Sequence, residues 1–167
     1  MIHIYYGDGK GKTTAACGLA VRSIGQGQKV LISQFLKNAN SGEIATFKRL
    51  GVQLLHTDYP VTFTWKMNEE QLEKTKLAMQ NLLDQVIEQS KNADLVIMDE
   101  VLYVYMYDMI DRNKLLDFLK SSKQEIVLTG RVKPDEKLLE LADYVSEIKK
   151  IKHPFDKGIL QRRGVEF

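Results

Sequence analysis

One cysteine in 167 residues, Cys17, has no partner for an internal disulfide and cannot build a cysteine cage for a metal. In a helical pattern it reads as a small buried hydrophobe of low reactivity. Proline is scarce, at 3 residues, and no low-complexity tract interrupts the chain; with 44% hydrophobic and 28% charged residues this excludes a disordered polypeptide. No apolar run approaches the ~18 residues of a membrane span. The first strand-like run begins at residue 2, which leaves no room for a cleavable leader. A cytoplasmic protein without a membrane partner is therefore expected. Charge of one sign is also lacking. The 24 basic and 22 acidic residues are largely interspersed and sum to +2, so nucleic acid is not an expected partner, and Lys149-Lys150, Lys152 and Arg162-Arg163 read first as solvated charge, with contact to a phosphate as the alternative. His3, His56 and His153 are too scattered for a metal triad, and His153 reads as the maker of a structural hydrogen bond.

What is present is a regular alternation. Apolar, β-branched or aromatic runs recur at 2–6, 29–33, 52–56, 94–99, 125–129 and 143–148, and helical periodicity fills most of the intervals. Residues 69–90 carry Leu72, Met79, Leu82, Leu83, Val86 and Ile87 on one stripe. Residues 12–25 form a helix with small residues for close approach and Gly25 near its end. Ser41 is expected to cap 42–50, Asp111 to cap 112–120, and Pro134 to sit in the first turn of 134–141. The pattern predicts one α/β domain over 1–167, with a mostly parallel sheet of five or six strands, helices on both faces, and a ligand site at the carboxyl ends of the strands.

At the first such end stands Gly7-Asp8-Gly9-Lys10-Gly11-Lys12-Thr13-Thr14. The common phosphate-loop pattern has four residues between its outer glycines; Gly7 and Gly11 enclose three. The chemistry is nevertheless that of a phosphate cradle. The glycines permit a tight turn with inward N–H groups, the helix start contributes its positive dipole end, Lys10 and Lys12 add charge, and the Thr13 hydroxyl suits the Mg²⁺ of a triphosphate. Leu95-Val96-Ile97-Met98-Asp99-Glu100 is an apolar strand ending in two carboxylates able to hold that metal directly or through water. Thr129-Gly130-Arg131, at another strand end, offers a hydroxyl and a guanidinium, and Arg131 reads equally as a phosphate contact or a surface ion-pair partner.

The shortened loop G-x-G-K-G-K-T-T resembles that of the ATP:corrinoid adenosyltransferases, a family with a RecA-like P-loop fold. Further blocks resemble that family in its order: VLISQFLK at 30–37, SGE at 41–43, FTW at 63–65, VIMDE at 96–100, LTGR at 128–131, ELAD at 140–143 and KHPFDKGILQRRGVEF at 152–167. The resemblance implies that ATP gives up its adenosyl group rather than a phosphoryl group. Co(I) of a reduced corrinoid attacks the ribose 5′ carbon and triphosphate leaves. ATP would be held by Gly7, Asp8, Gly9, Lys10, Gly11, Lys12, Thr13, Thr14 and Arg131, and Mg²⁺ or Mn²⁺ by Thr13, Asp99 and Glu100. Co(I) has no proton to lose, so Glu100 is expected to serve the metal and not as a base. Phe63 and Trp65 are implied to line the corrinoid pocket and displace the lower ligand of cobalt.

The same resemblance implies an electron-donating reductase as partner and leaves a homodimer open. Longer members carry an N-terminal extension, here expected to be missing or replaced. Where the family usually has Leu-Asn-Tyr or Leu-Thr-Tyr after the carboxylates, this chain has Val101-Leu102-Tyr103. A P-loop nucleoside kinase and a non-catalytic ATP- or corrinoid-binding module are the competing readings.

Overall fold

The computed structural model describes residues 1–37, 41–60 and 67–165. Each of the six apolar runs forms a strand: β1 Ile2–Tyr6, β2 Val30–Gln34, β3 Gln53–His56, β4 Leu95–Asp99, β5 Glu125–Gly130 and β6 Tyr144–Glu147. Every pairing is parallel and the order across the sheet is β3-β2-β4-β5-β1-β6. Alternate residues of the central strands serve opposite faces, so both faces are apolar. Leu95 and Ile97 join Val30, Ile32 and Val127 beneath the helices α1 (Lys12–Gly25) and α2 (Gly42–Arg49), which contribute Ala16, Ala20 and Phe47. Val96 and Met98 join Leu31, Ile126 and Leu128 on the other face, covered by α3 (Glu69–Gln89), α4 (Val101–Met106), α5 (Arg112–Ser121) and Leu138 of α6 (Glu136–Leu141). Burial on both faces is what gives parallel strands their uninterrupted apolar sequences.

Local signals explain most of the helix ends. Asn68 and Gln71 form a reciprocal capping box that starts α3, with bonds of 2.8 and 3.0 Å. Asp111 starts α5 by accepting from the Lys114 amide at 3.0 Å. Ser41 occupies the cap position of α2 in extended conformation without a side-chain capping bond. The expectation for Pro134 is corrected: α6 begins at Glu136, capped by Asp135, whose carboxylate accepts from the Leu138 amide at 3.1 Å. A side-chain cap defines a helix start better than proline does, which leaves Pro134 just outside. Helix α4 lies outside the predicted set. Val101, Leu102, Val104 and Tyr105 are all buried, so the segment is apolar nearly all round and has no amphipathic period to read.

The strand ends are level. Tyr6 is paired with Gly130 and Glu147, and Gln34 with Asp99. Because β5 lies between β1 and β4, the residues leaving β5 are held between the glycine loop and the acidic pair. Helix α4 closes tightly over the end of β5: a Cβ on Gly130 would lie 2.6 Å from Leu102 Cβ. Leu102 is fully buried in that contact, so the position where the family pattern is polar belongs here to the core.

Candidate active site

The loop after β1 is shaped by its contact with the chain leaving β6. A Cβ on Gly7 would lie 2.4 Å from Ile148 O, and one on Gly9 would lie 2.7 Å from the Lys149 carbonyl carbon, so only glycine permits this approach. The Gly9 amide donates to Ile148 O at 2.8 Å, and the Asp8 carboxylate accepts from the Lys150 amide at 3.0 Å. That bond from Lys150 is the main reason the Asp8 carboxyl sits below the usual range. Asp8 and Gly9 thus fasten the loop to the C-terminal segment. Gly11 caps α1, and Lys12, the first residue of the helix, folds its ammonium back to donate to Gly9 O at 2.7 Å. Lys10 and Thr14 are exposed.

Asp99, 1% exposed, is the hub of the site. Its Oδ1 accepts from the Thr13 hydroxyl at 2.9 Å and from the Thr129 hydroxyl at 2.5 Å, which ties the loop helix, β4 and β5 together. Thr129 in turn accepts from the Glu100 amide at 3.0 Å. Glu100 has a left-handed backbone with φ of 60°, a conformation uncommon outside glycine and often found at functional sites. Lys37, just beyond β2, places its ammonium on Asp99 Oδ2 and at 3.2 Å from Thr13 Oγ1. Burial alone would lower the Lys37 ammonium, but the charge and hydrogen bond of Asp99 outweigh it and hold it above the ordinary lysine range.

Burial, and then the charge of Asp99, lift the Glu100 carboxyl above its usual range against the pull of Lys37, Lys12 and Arg131. Arg131 is exposed, yet its charge bears on Glu100, Lys12 and Asp8, which puts it in the neighbourhood of the loop and the acidic strand end. A raised carboxyl contributes stability below its unfolded value and loses it as pH rises through the folded one. In metal-free, nucleotide-free buffer Glu100→Gln is therefore expected to melt above the wild type at pH 8. The gap should close below about pH 4, near the unfolded glutamate value. Identical melting temperatures across that pH range would contradict the assignment.

The donor set of Thr13, Asp99 and Glu100 is all oxygen, which suits a hard divalent cation such as Mg²⁺ or Mn²⁺. The Lys37 ammonium between Asp99 and Thr13 makes it a place where positive charge is already accommodated. Among the described residues no group of three or more His, Cys, Asp and Glu side chains is set to hold a metal, so triphosphate oxygens would have to complete the shell. Beside this hub opens a cleft of about 630 Å³ lined by Thr13, Thr14, Lys37 and Glu43 and, from the C-terminal block, by Gln161 and Val165. Cys17 also borders it. Burial first, then Glu43 and Asp99, push its thiol up to about 12, so it stays protonated and a poor nucleophile. His153 makes the structural bond expected of it, with Nδ1 accepting from the Phe155 amide at 3.1 Å. Phe63 and Trp65 lie outside the described residues.

Of the sequence-derived residues, Lys12, Thr13, Asp99, Glu100 and Arg131 converge on one spot. Sequence reasoning gave no role to Lys37 and only an unassigned hydroxyl to Thr129. The one available signal was position: a lysine three residues beyond a buried strand, and a threonine at the end of another.

A strand, a glycine loop and a helix whose first threonine is bonded to the carboxylate ending another parallel strand define an α/β P-loop nucleotide-binding protein. Within that class, the model of the ATP:corrinoid adenosyltransferase BtuR/CobO/CobP family matches residues 1–167, and the chain belongs to that family. It is 32% identical over 170 residues to the corrinoid adenosyltransferase of Escherichia coli strain K12, covering 100% of this chain and 85% of that one. It is 34% identical over 190 residues to that of Sinorhizobium sp., covering 100% and 80%. Against the corrinoid adenosyltransferase CobA of Salmonella typhimurium strain LT2 the identity is 31% over 178 residues, covering 100% and 85%. Among solved structures, domain III of the Thermotoga maritima replication initiation protein DnaA aligns with a TM-score of 0.47 at 15% identity, over 88% of this chain and 54% of that chain. Among the described residues no helix is long and apolar enough to cross a membrane.

Proposed function

We propose that residues 1–167 act as one cytoplasmic domain whose cleft carries out the family's ATP-dependent transfer. The 5′-deoxyadenosyl group of ATP passes to Co(I) of a reduced corrinoid, the C5′–O bond breaks as the Co–C bond forms, and triphosphate leaves with the bonding pair. The observation that supports this most directly is the bonded chain Thr13–Asp99–Thr129, which joins the glycine loop to the acidic strand end. Displacement at carbon by a nucleophile without a proton needs alignment and charge stabilisation of the leaving group, not a base. Lys12, at the helix N-terminus, and Arg131 supply positive charge toward the triphosphate. Thr13, Asp99 and Glu100 hold the divalent metal. When bound, that metal neutralises charge developing on the leaving oxygens. Glu100, crowded by burial and by Asp99, gains a cation partner in that role and spares ATP from hydrolysis.

Phe63 and Trp65 are assigned to the corrinoid, where apolar bulk below the ring displaces the lower ligand and eases reduction of Co(II). An electron-donating reductase then supplies the one electron that takes Co(II) to Co(I), and sedimentation would decide between a monomer and a homodimer. Anaerobic incubation with ATP, Mg²⁺ and preformed cob(I)alamin should yield the adenosyl–cobalt spectrum and intact triphosphate. Phosphorylation of an added nucleoside with release of ADP would favour a kinase, and binding without turnover a carrier module. Trp65→Ala and Phe63→Ala should lose most of their rate with cob(II)alamin plus reductant and recover much of it with cob(I)alamin. Equal losses in both assays that track the melting temperature would make these two residues packing anchors, whose removal typically costs about 3–5 kcal/mol.

A further inference from the structure

Lys37 reaches the site through a specific local device. The Phe35 amide donates to Asp99 O at 2.9 Å, which extends the β2–β4 register by one bond beyond Gln34–Asp99. Leu36 then takes a left-handed backbone with φ of 53°, strained for leucine, and turns the chain so that the Lys37 side chain folds back over the strand end. The ammonium lands on Asp99 Oδ2 and Thr13 Oγ1, a carboxylate that is 1% exposed and the hydroxyl of the loop helix. These are two of the oxygens assigned above to the divalent metal, and a lysine ammonium and a divalent cation cannot both occupy the space between them. The Lys37 side chain is itself 28% exposed and borders the cleft, so it has somewhere to go.

We propose that Lys37 is a resident counter-cation of the carboxylate site: it holds Asp99 and Thr13 in position, competes with free divalent cations, and yields its place when metal enters together with ATP. The inference rests on the metal role of Thr13 and Asp99. Its consequence is coupling. A bare cation must break the Lys37–Asp99 pair for little return, whereas metal carried by ATP brings phosphate oxygens that complete its own shell and accept the displaced ammonium. Metal and nucleotide then bind cooperatively, and by linkage each strengthens the other by the same factor.

The test is Mn²⁺ binding to the full chain, read by electron paramagnetic resonance with and without ATP, for the wild type, Lys37→Met and Lys37→Arg. Without ATP, Lys37→Met should bind Mn²⁺ tighter than the wild type by a factor in the range of roughly 5–150 typical of such couplings. The cooperativity between Mn²⁺ and ATP should shrink by the same factor. Lys37→Arg, which keeps the charge, should stay near the wild type. If Lys37→Met does not fold, Lys37→Gln replaces it, since an amide can still donate to Asp99 without competing as a cation. Equal Mn²⁺ affinities in the wild type and the uncharged variant, with binding lost in Thr13→Ala, would overturn the role of Lys37 and leave the metal site standing. Absence of Mn²⁺ binding in every protein even with ATP would overturn both.

Discussion

Lys12→Ala should lower the single-turnover rate about 10²–10³-fold at saturating ATP and metal, the usual cost of removing one preorganised donor from a charge-developing transition state, while leaving the fold intact. Among the described residues the Lys12 ammonium makes one hydrogen bond, to Gly9 O at 2.7 Å, so its loss unties little. Its value lies in where it stands: at the first turn of α1, half-buried, facing the place where triphosphate charge would accumulate. Burial, its largest influence, lowers the ammonium below the ordinary lysine range, and Arg131 adds to that while Glu100, Asp8 and Asp99 resist it. In the nucleotide-free protein the ammonium therefore gives up its proton earlier than an exposed lysine would, so the rate at low, sub-saturating ATP should fall first on the alkaline side, because the group acts only while protonated. The measurement is single-turnover formation of the adenosyl–cobalt product from preformed cob(I)alamin, with thermal unfolding alongside. A rate within a few-fold of the wild type would remove Lys12 from the transition state, and a rate loss that tracks unfolding would make it structural.

Which parts of this architecture could be read in one dimension follows from the kind of constraint each obeys. The central strands were visible because a parallel strand covered on both faces must be apolar along its length, as at Leu95–Asp99 and Val30–Gln34, whereas the edge strands β3 and β6, which are not buried, were visible only through short β-branched, leucine and aromatic runs. Helix α3 was visible because one face meets the core and the other meets water. Helix α4 was hidden by being apolar nearly all round, and the start of α6 by the competition between Pro134 and the stronger cap Asp135. In the site, Lys12, Thr13, Asp99 and Glu100 are local to a loop or a strand end and carry their own signatures. Thr129 and Lys37 do not. They reach Asp99 only because β5 and β2 are the two neighbours of β4, a fact of sheet order that no sequence window contains. Asp8 and Gly9 show the converse case. Their place in the motif was plain, but their bonds to Lys150 and Ile148 depend on a segment some 140 residues further along.

Asp99→Ala should be among the most destabilising single substitutions at the site, since three partners converge on one carboxylate that is 1% exposed. The Thr13 and Thr129 hydroxyls would lose their acceptor and the Lys37 ammonium its counter-charge. Stripping one partner from a buried ion pair typically costs about 3–5 kcal/mol. The lower end applies here, because Lys37 is 28% exposed and can turn toward water. For a chain of this size that corresponds to a fall in Tm of roughly 6–12 °C. Asp99→Asn separates the contributions. Its amide oxygen can still accept from both threonines, but its NH₂ would confront the Lys37 ammonium, donor against donor, so it should lose about 1–3 kcal/mol. Adding Lys37→Met to Asp99→Asn removes that conflict and should recover part of the loss, because deleting both members of a pair is cheaper than orphaning one. Adenosyl transfer should stay strongly impaired in both the single and the double variant, since neither restores a carboxylate to the metal. Chemical denaturation of the four proteins of this cycle gives the coupling directly. A double variant no more stable than Asp99→Asn would mean that the Lys37–Asp99 pair contributes nothing to the fold, and activity recovered together with stability would show that Asp99 acts only by holding the strand end in place.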